Sequence, residues 1–154
     1  MVSIRDTVRL LLELRGAYCW TNDDRDDVLF FRGRGKNLPE IHVVLQFSGT
    51  LHDPGPVYMY SSVAEGVEQQ KHELAMRLCN ELAWRYFWVT FFLDPETDNL
   101  FAKSTALLTP GNYSEQTEFA LSNLIGVIDE QYPIFQKYLL SGPDGAAEET
   151  EGGE

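Results

Sequence analysis

Two acidic loops carry the oxygen ligands that a calcium ion prefers. Asn22, Asp24 and Asp26 stand at alternating positions in the first loop, and Asp94–Asp98 places its acids in the same way in the second. An EF-hand loop also needs glycine at its sixth position and glutamate at its twelfth, and neither loop has them. Both loops join predicted strands, so we predict hairpin turns and no metal site.

The three histidines and two cysteines do not form a close set of metal ligands. His72 and Glu73 begin an H-E-x-x-H zinc motif, but Met76 stands where the second histidine is required. Cys19 and Cys79 have no C-x-x-C partner, and no serine lies in a G-x-S-x-G elbow. We therefore predict a protein that is not an enzyme, with no catalytic residue, no metal and no cofactor.

A short basic cluster, Arg32, Arg34 and Lys36, stands out in an acidic chain. Its glycines give a GxGK string, but a phosphate-binding loop needs G-x-x-x-x-G-K-[ST] between a strand and a helix. This string lies between two predicted strands, which favours a solvated loop. The alternative is an anion site near the Arg32–Lys36 loop, in a small-molecule ligand-binding domain or an enzyme.

Composition limits the possible partners. The chain has 154 residues, 12 basic and 24 acidic side chains, and a net charge of −12, which opposes a nucleic acid. The sequence has no apolar run of the roughly 18–20 residues that span a bilayer, so membrane insertion is not expected. With two cysteines and no visible signal peptide, we expect a cytoplasmic protein.

The last stretch of the chain differs from the rest. Residues 141–154 contain five acids, no base and nothing apolar enough to bury. We predict a single domain over residues 1–140 and a disordered acidic tail over residues 141–154. An adaptor role, in which this tail docks on a basic partner, is one further hypothesis.

Hydrophobic periodicity predicts the element order α-β-β-β-β-α-β-β-α, an α+β domain with a mostly antiparallel sheet and helices packed on one face. The first helix is predicted at Ile4–Arg15. The S-x-x-E capping box at Ser62–Glu65 predicts the start of a long second helix. Ser114 is predicted to cap the last helix, and Pro133 predicts a kink or break near Gln131. Strands are predicted at Tyr18–Thr21, Val28–Arg32, Ile41–Phe47, Val57–Ser61, Phe87–Leu93 and Phe101–Thr109.

The predicted strands are apolar on both faces, whereas a half-solvated antiparallel sheet is polar on one side. If helices cover one face, the other is expected to carry four aromatic side chains: Trp88, Phe92, Tyr58 and Tyr60. Exposed apolar patches mark interfaces, and aromatic residues are enriched among binding hot spots. We predict that these residues contact a partner protein. The alternative is that they belong to the core.

The pattern of helices, strands and turns resembles the YbjN family. The resemblance covers most of Ile4–Leu139. It includes a helix with an Asn-Glu stretch, an acidic hairpin between two apolar strands, and a glycine-containing turn. The stretches that carry it are Gly16–Tyr18, Val28–Phe31, Leu78–Glu81, Phe91–Asp94, Asn99–Ala102 and Leu107–Gly111.

That family is similar in fold to the type III secretion chaperones, which are small acidic dimers that hold an extended segment of another protein. The resemblance implies a non-enzymatic, chaperone-like or regulatory module, sometimes described as a sensory transduction regulator. Our main hypothesis is thus a protein-binding homodimer that holds an apolar segment of an unidentified partner protein. The resemblance brings no catalytic residues.

Overall fold

The computed structural model describes residues 3–140, and the predicted acidic tail lies outside them. Three helices and six strands follow in the predicted order. A 3₁₀ turn, Gln69–Lys71, precedes the second helix, and a π-helical turn, Gln136–Leu140, follows the third. The elements are α1 Ile4–Leu14, β1 Tyr18–Asn22, β2 Arg25–Gly33, β3 Ile41–Gln46, β4 Pro56–Ala64, α2 His72–Arg85, β5 Thr90–Asp94, β6 Asn99–Leu107 and α3 Tyr113–Phe135.

The strands form one antiparallel sheet in the order β1-β2-β3-β4-β6-β5. The core lies between this sheet and the helices, and its largest fully buried side chains include Leu29, Met59 and Leu124. The predicted α+β class and element order are confirmed.

Local capping explains where α1 begins and ends. The Ser3 hydroxyl oxygen accepts a hydrogen bond from the Asp6 backbone N–H at 3.1 Å, which satisfies one of the free donors of the first turn. Gly16, with φ of +87°, follows the helix in a left-handed conformation that suits glycine. Ile4, Val8 and Leu12 are buried, so α1 packs one apolar stripe on the core.

The predicted start of the second helix is wrong. Ser62, Val63 and Ala64 lie in β4, where Ser62 pairs with Phe101 of β6, and α2 begins only at His72. Burial of Val63 and Ala64 in the core outweighs the local S-x-x-E signal. This is a case in which tertiary pairing overrides sequence propensity.

The start of β5 also differs from the prediction. The strand begins at Thr90, so Phe87 and Trp88 lie in the connection that follows α2. Val89, the next residue, is fully buried and anchors that connection to the core. Both aromatic side chains are therefore held at the surface ahead of the strand.

The last helix continues without the predicted break. α3 begins after Asn112, not after Ser114, which is buried inside it, and it runs through Pro133 to Phe135. In an uninterrupted helix, the N–H of residue 133 would donate to the carbonyl of Asp129, and a proline has no such donor. The side-chain amide of Asn37 donates to that carbonyl instead, at 2.9 Å, which replaces the lost hydrogen bond.

Candidate protein-binding surfaces

The sheet face opposite the helices carries the predicted rings. Along β4, Val57, Met59 and Ser61 are buried, whereas Tyr58 and Tyr60 are 50% and 40% exposed. The same alternation leaves Phe92 of β5 37% exposed. We call this surface the aromatic face, and its ring-bearing residues are Tyr18, Trp20, Phe30, Tyr58, Tyr60, Phe92 and Phe101. The expected exposure is confirmed, and partner contact stays a prediction.

Rings of the aromatic face are held by each other and by cations. Trp20 stacks on Phe30, with centroids 5.6 Å apart, and Phe92 stacks on Phe101 at 5.5 Å. The Lys103 ammonium lies 5.4 Å from the centre of the Phe92 ring. Such contacts fix the ring positions before any partner arrives, which lowers the entropic cost of binding.

Trp88 is separate from the other three predicted rings. It lines a cavity of about 370 Å³ between β6 and α3, together with Leu107 and Phe119. The Ser104 hydroxyl donates to the Trp88 carbonyl at 2.8 Å and holds this connection beside β6. We call this site the corner cavity, and the residues that line it are Trp88, Ser104, Thr105, Ala106, Leu107, Glu115, Gln116, Phe119, Ala120 and Asn123.

The corner cavity was not predicted from the sequence, apart from Trp88. Leu107, Phe119 and Trp88 are 73%, 65% and 69% exposed, well above the rings of the aromatic face. Asn123 lies among the apolar residues of α3. The helical periodicity predicts which of those residues are buried, but it does not indicate that a single amide among them lines a cavity. The sequence carries no signal that these positions lie together. They meet because β5 begins only at Thr90 whereas β6 continues past the paired residue Lys103.

The basic loop of the sequence analysis surrounds a carboxylate of the chain itself. Three backbone N–H groups, of Lys36, Asn37 and Leu38, donate to the Asp129 carboxylate at 2.8–2.9 Å. Burial alone would raise the pKa of Asp129, but these three hydrogen bonds hold it below its ordinary value. A β-carbon on Gly35 would lie 2.0 Å from a carboxylate oxygen, so this close approach requires glycine.

The three cationic side chains of this loop differ in their surroundings. The Arg32 guanidinium lies 3.6 Å from Glu40 and 4.3 Å from the centre of the Tyr18 ring. Arg34 and Lys36 are exposed. An external anion at this loop stays a prediction, and the backbone donors that would serve it are engaged by Asp129.

Two further features bear on chemistry. The pKa of both thiols is raised to about 11, by burial at Cys79 and by burial together with the nearby Glu13 carboxylate at Cys19, so neither is a thiolate near neutral pH. Within residues 3–140, no group of three or more His, Cys, Asp or Glu side chains could hold a metal ion. Across those residues, no helix is both long and apolar enough to cross a bilayer.

Together these observations define a class of protein: a small α+β domain with helices on one face of an antiparallel sheet and exposed rings on the other. The YbjN family, described as "Putative bacterial sensory transduction regulator", matches residues 23–137. The chain belongs to the YbjN family.

The fold is shared with solved structures. The crystal structure of YbjN, described as a putative transcription regulator from E. coli, is similar with a TM-score of 0.58 and 14% sequence identity. The alignment covers 82% of this chain and 89% of that one. At this identity, the likeness concerns the fold. No curated protein matches the sequence.

Proposed function

We propose that this chain is a non-enzymatic, cytoplasmic regulatory module that acts by binding protein. In this proposal it forms a homodimer through the aromatic face and holds an apolar segment of a partner protein. The observation that carries the proposal is the open sheet face, where Tyr58, Tyr60 and Phe92 are exposed although all three helices pack on the other side. Membership of a family of regulators supports a binding role.

The dimensions of the aromatic face suit a second copy of the chain. Six strands at spacings of about 4.8 Å give a width of about 24 Å, and strands of five to nine residues extend about 17–30 Å. The resulting area, roughly 400–700 Å², approaches the ~800 Å² that each partner buries in a stable interface. The central strand, β4, has no charged residue, which favours contact with another apolar surface.

Regulation through protein contacts fits the charge of this chain better than binding to DNA. The structural neighbour from E. coli is described as "a putative transcription regulator". Here 24 acidic side chains outnumber 12 basic ones, so a duplex would be repelled. A gel-shift assay with random duplex DNA at low salt should give no complex, and a salt-sensitive complex would contradict this part of the proposal.

The direct test is the mass of the purified protein at micromolar concentration, measured by light scattering after size exclusion. We expect twice the 17.5 kDa mass of the chain. A monomer across the micromolar range would contradict the homodimer. The matched control is Leu14→Glu, which adds a charge at an exposed position of α1 away from the aromatic face and should leave the dimer intact.

A further inference from the structure

Beside the corner cavity, β6 continues beyond the end of its neighbour. The pairing of β5 with β6 starts at Thr90 and Lys103, so Ser104–Leu107 extend past β5 on that side. Within residues 3–140, no other strand pairs with this part of the edge. The connection through Trp88 lies beside Ser104, so the remaining three residues, at about 3.3 Å each, leave an edge of about 10 Å to which an extended segment could add.

A polar side chain that borders the cavity holds an atom with no partner. The Asn123 side-chain nitrogen is closed off from solvent and forms no hydrogen bond among the described residues. An unsatisfied buried donor costs about 1–3 kcal/mol, so native proteins rarely keep one without a reason. Because Asn123 lines the corner cavity, rotation of its amide would turn this donor toward an acceptor oxygen of a ligand there.

The charge at the cavity selects between possible ligands. Glu115 is the one charged side chain among the residues that line it. A carboxylate at the rim repels a small anion and favours a ligand that carries a positive charge. A polypeptide combines all the required features: carbonyl acceptors, apolar side chains, a basic residue and a backbone that can pair with a strand edge.

We propose that the corner cavity binds an extended segment of a partner protein, which adds to β6 as a further strand. One backbone carbonyl of the segment accepts from Asn123, an apolar side chain enters between Trp88 and Phe119, and a basic side chain faces Glu115. This inference deepens the proposed function, since it rests on a protein partner and gives the place and chemistry of the segment that is held.

The test uses capped, fluorescein-labelled peptides of about eight residues in which lysine alternates with valine, leucine or phenylalanine. Fluorescence anisotropy with the full chain should give saturable binding by at least one peptide. Two further versions of the same peptide carry N-methyl groups on alternate residues, one at odd and one at even positions. At least one of them should bind at least tenfold more weakly, because its methyl groups block the N–H donors that would pair with the strand edge. Absence of binding by every peptide, or equal binding of the methylated forms, would overturn the proposal.

Asn123→Leu separates a binding role from a structural one. The substitution removes the unpartnered amide at similar volume, so peptide affinity should fall about tenfold while the thermal midpoint stays the same or rises. Phe119→Ala, at an exposed position, should also weaken binding, and Leu10→Ala on α1 is the control that should not. Unchanged affinity in both cavity variants would overturn the site.

The outcome is distinguishable from that of the homodimer test. A dimer that binds none of the peptides contradicts the corner cavity alone, whereas a monomer that binds them contradicts the homodimer alone.

Glu115→Gln tests the contribution of charge to peptide binding. The affinity for lysine-containing peptides should fall about threefold, and the dependence of this affinity on salt should weaken. Unchanged salt dependence would contradict the pairing of the peptide's lysine with Glu115.

Discussion

The aromatic face and the corner cavity are both apolar, but their aromatic rings differ in how far other rings of the chain cover them. On the aromatic face, Phe92 and Trp20 stack on neighbouring rings, and exposure of the predicted residues stays between 37% and 50%. At the corner cavity, no ring contact joins Trp88 or Phe119 to another aromatic side chain among residues 3–140, and both are more than 60% exposed. The first surface is an open sheet face with stacked rings, and the second is a cavity whose rings have no aromatic neighbour.

This difference points to two kinds of partner. A sheet face with stacked rings suits a broad, rigid surface such as a second copy of the chain. A concave site with an open strand edge and the unpaired amide of Asn123 suits an extended segment that supplies backbone groups. The two surfaces adjoin at β6, where Thr105 lines the cavity and pairs with Tyr58 of the aromatic face, and we expect them to act at the same time.

The largest expected effect comes from charging the aromatic face. In the double variant Tyr58→Glu with Tyr60→Glu, two acids from each chain would be brought together in a symmetric interface. We expect the dimer dissociation constant to rise at least a hundredfold, about 2.7 kcal/mol, as measured by sedimentation equilibrium. Peptide affinity at the corner cavity should remain within twofold. If the variant lost both dimerisation and peptide binding, the two sites would have to be one and the same surface.

The reciprocal variant tests the corner cavity. Trp88→Ala removes an exposed ring that lines the cavity and lies outside the strands, so its stability should change by no more than about 0.5 kcal/mol. Peptide affinity should fall about tenfold, and the mass by light scattering should not change. If the variant instead unfolds in urea at a much lower concentration, Trp88 is a core residue and its assignment to the cavity is wrong.

A smaller effect is expected at a contact that belongs to neither surface. Asp129→Ala leaves three backbone donors of the basic loop without their acceptor, so the free energy of unfolding should fall by about 1–2 kcal/mol. Asp129→Asn is the isosteric comparison, and urea denaturation gives the measurement. Dimer mass and peptide affinity should both be retained, since Asp129 and the three donors belong to neither surface. A change in either would connect the loop to binding.

The pH dependence at Asp129 follows from its lowered pKa. A carboxyl whose pKa is lower in the folded than in the unfolded state stabilises the fold above its ordinary value of 3.8 and loses this contribution as the pH falls through the folded value. The wild-type chain should therefore lose more stability than Asp129→Asn between pH 5 and pH 3. Parallel curves would contradict the hydrogen-bonded carboxylate.

The smallest effect marks the boundary of the corner cavity. Trp84 is 87% exposed at the end of α2 but does not line the cavity. Trp84→Ala should leave dimer mass, peptide affinity and stability unchanged within error, by the same three measurements. A loss of peptide affinity comparable to that of Trp88→Ala would extend the site along α2.

Local patterns were sufficient to predict the sheet and three of the seven rings of the aromatic face. In β4, strict alternation around Tyr58 and Tyr60 gives both the strand and the exposed side, because strand side chains point to opposite faces in turn. The α1 pattern likewise predicts its helix. Helix propensity and strand pairing compete at Ser62–Ala64. The sequence pattern predicts a helix there, whereas in the structure these residues belong to β4.

Contacts between distant residues could not be predicted in this way. Lys36 and Asp129 are 93 positions apart, and nothing in the GxGK string indicates that its donors would bind a carboxylate of the same chain. The corner cavity joins Trp88 to Asn123 through the offset between β5 and β6, which is a property of strand register and not of composition. Such sites require the three-dimensional arrangement.

Sedimentation velocity with the labelled peptide tests the central claim that the chain has two independent apolar surfaces. We predict that the peptide sediments with a species of twice the 17.5 kDa chain mass, with one peptide bound per chain at saturation. A peptide that binds only the monomer, and dissociates the dimer as it is added, would place both partners on one surface and contradict the account.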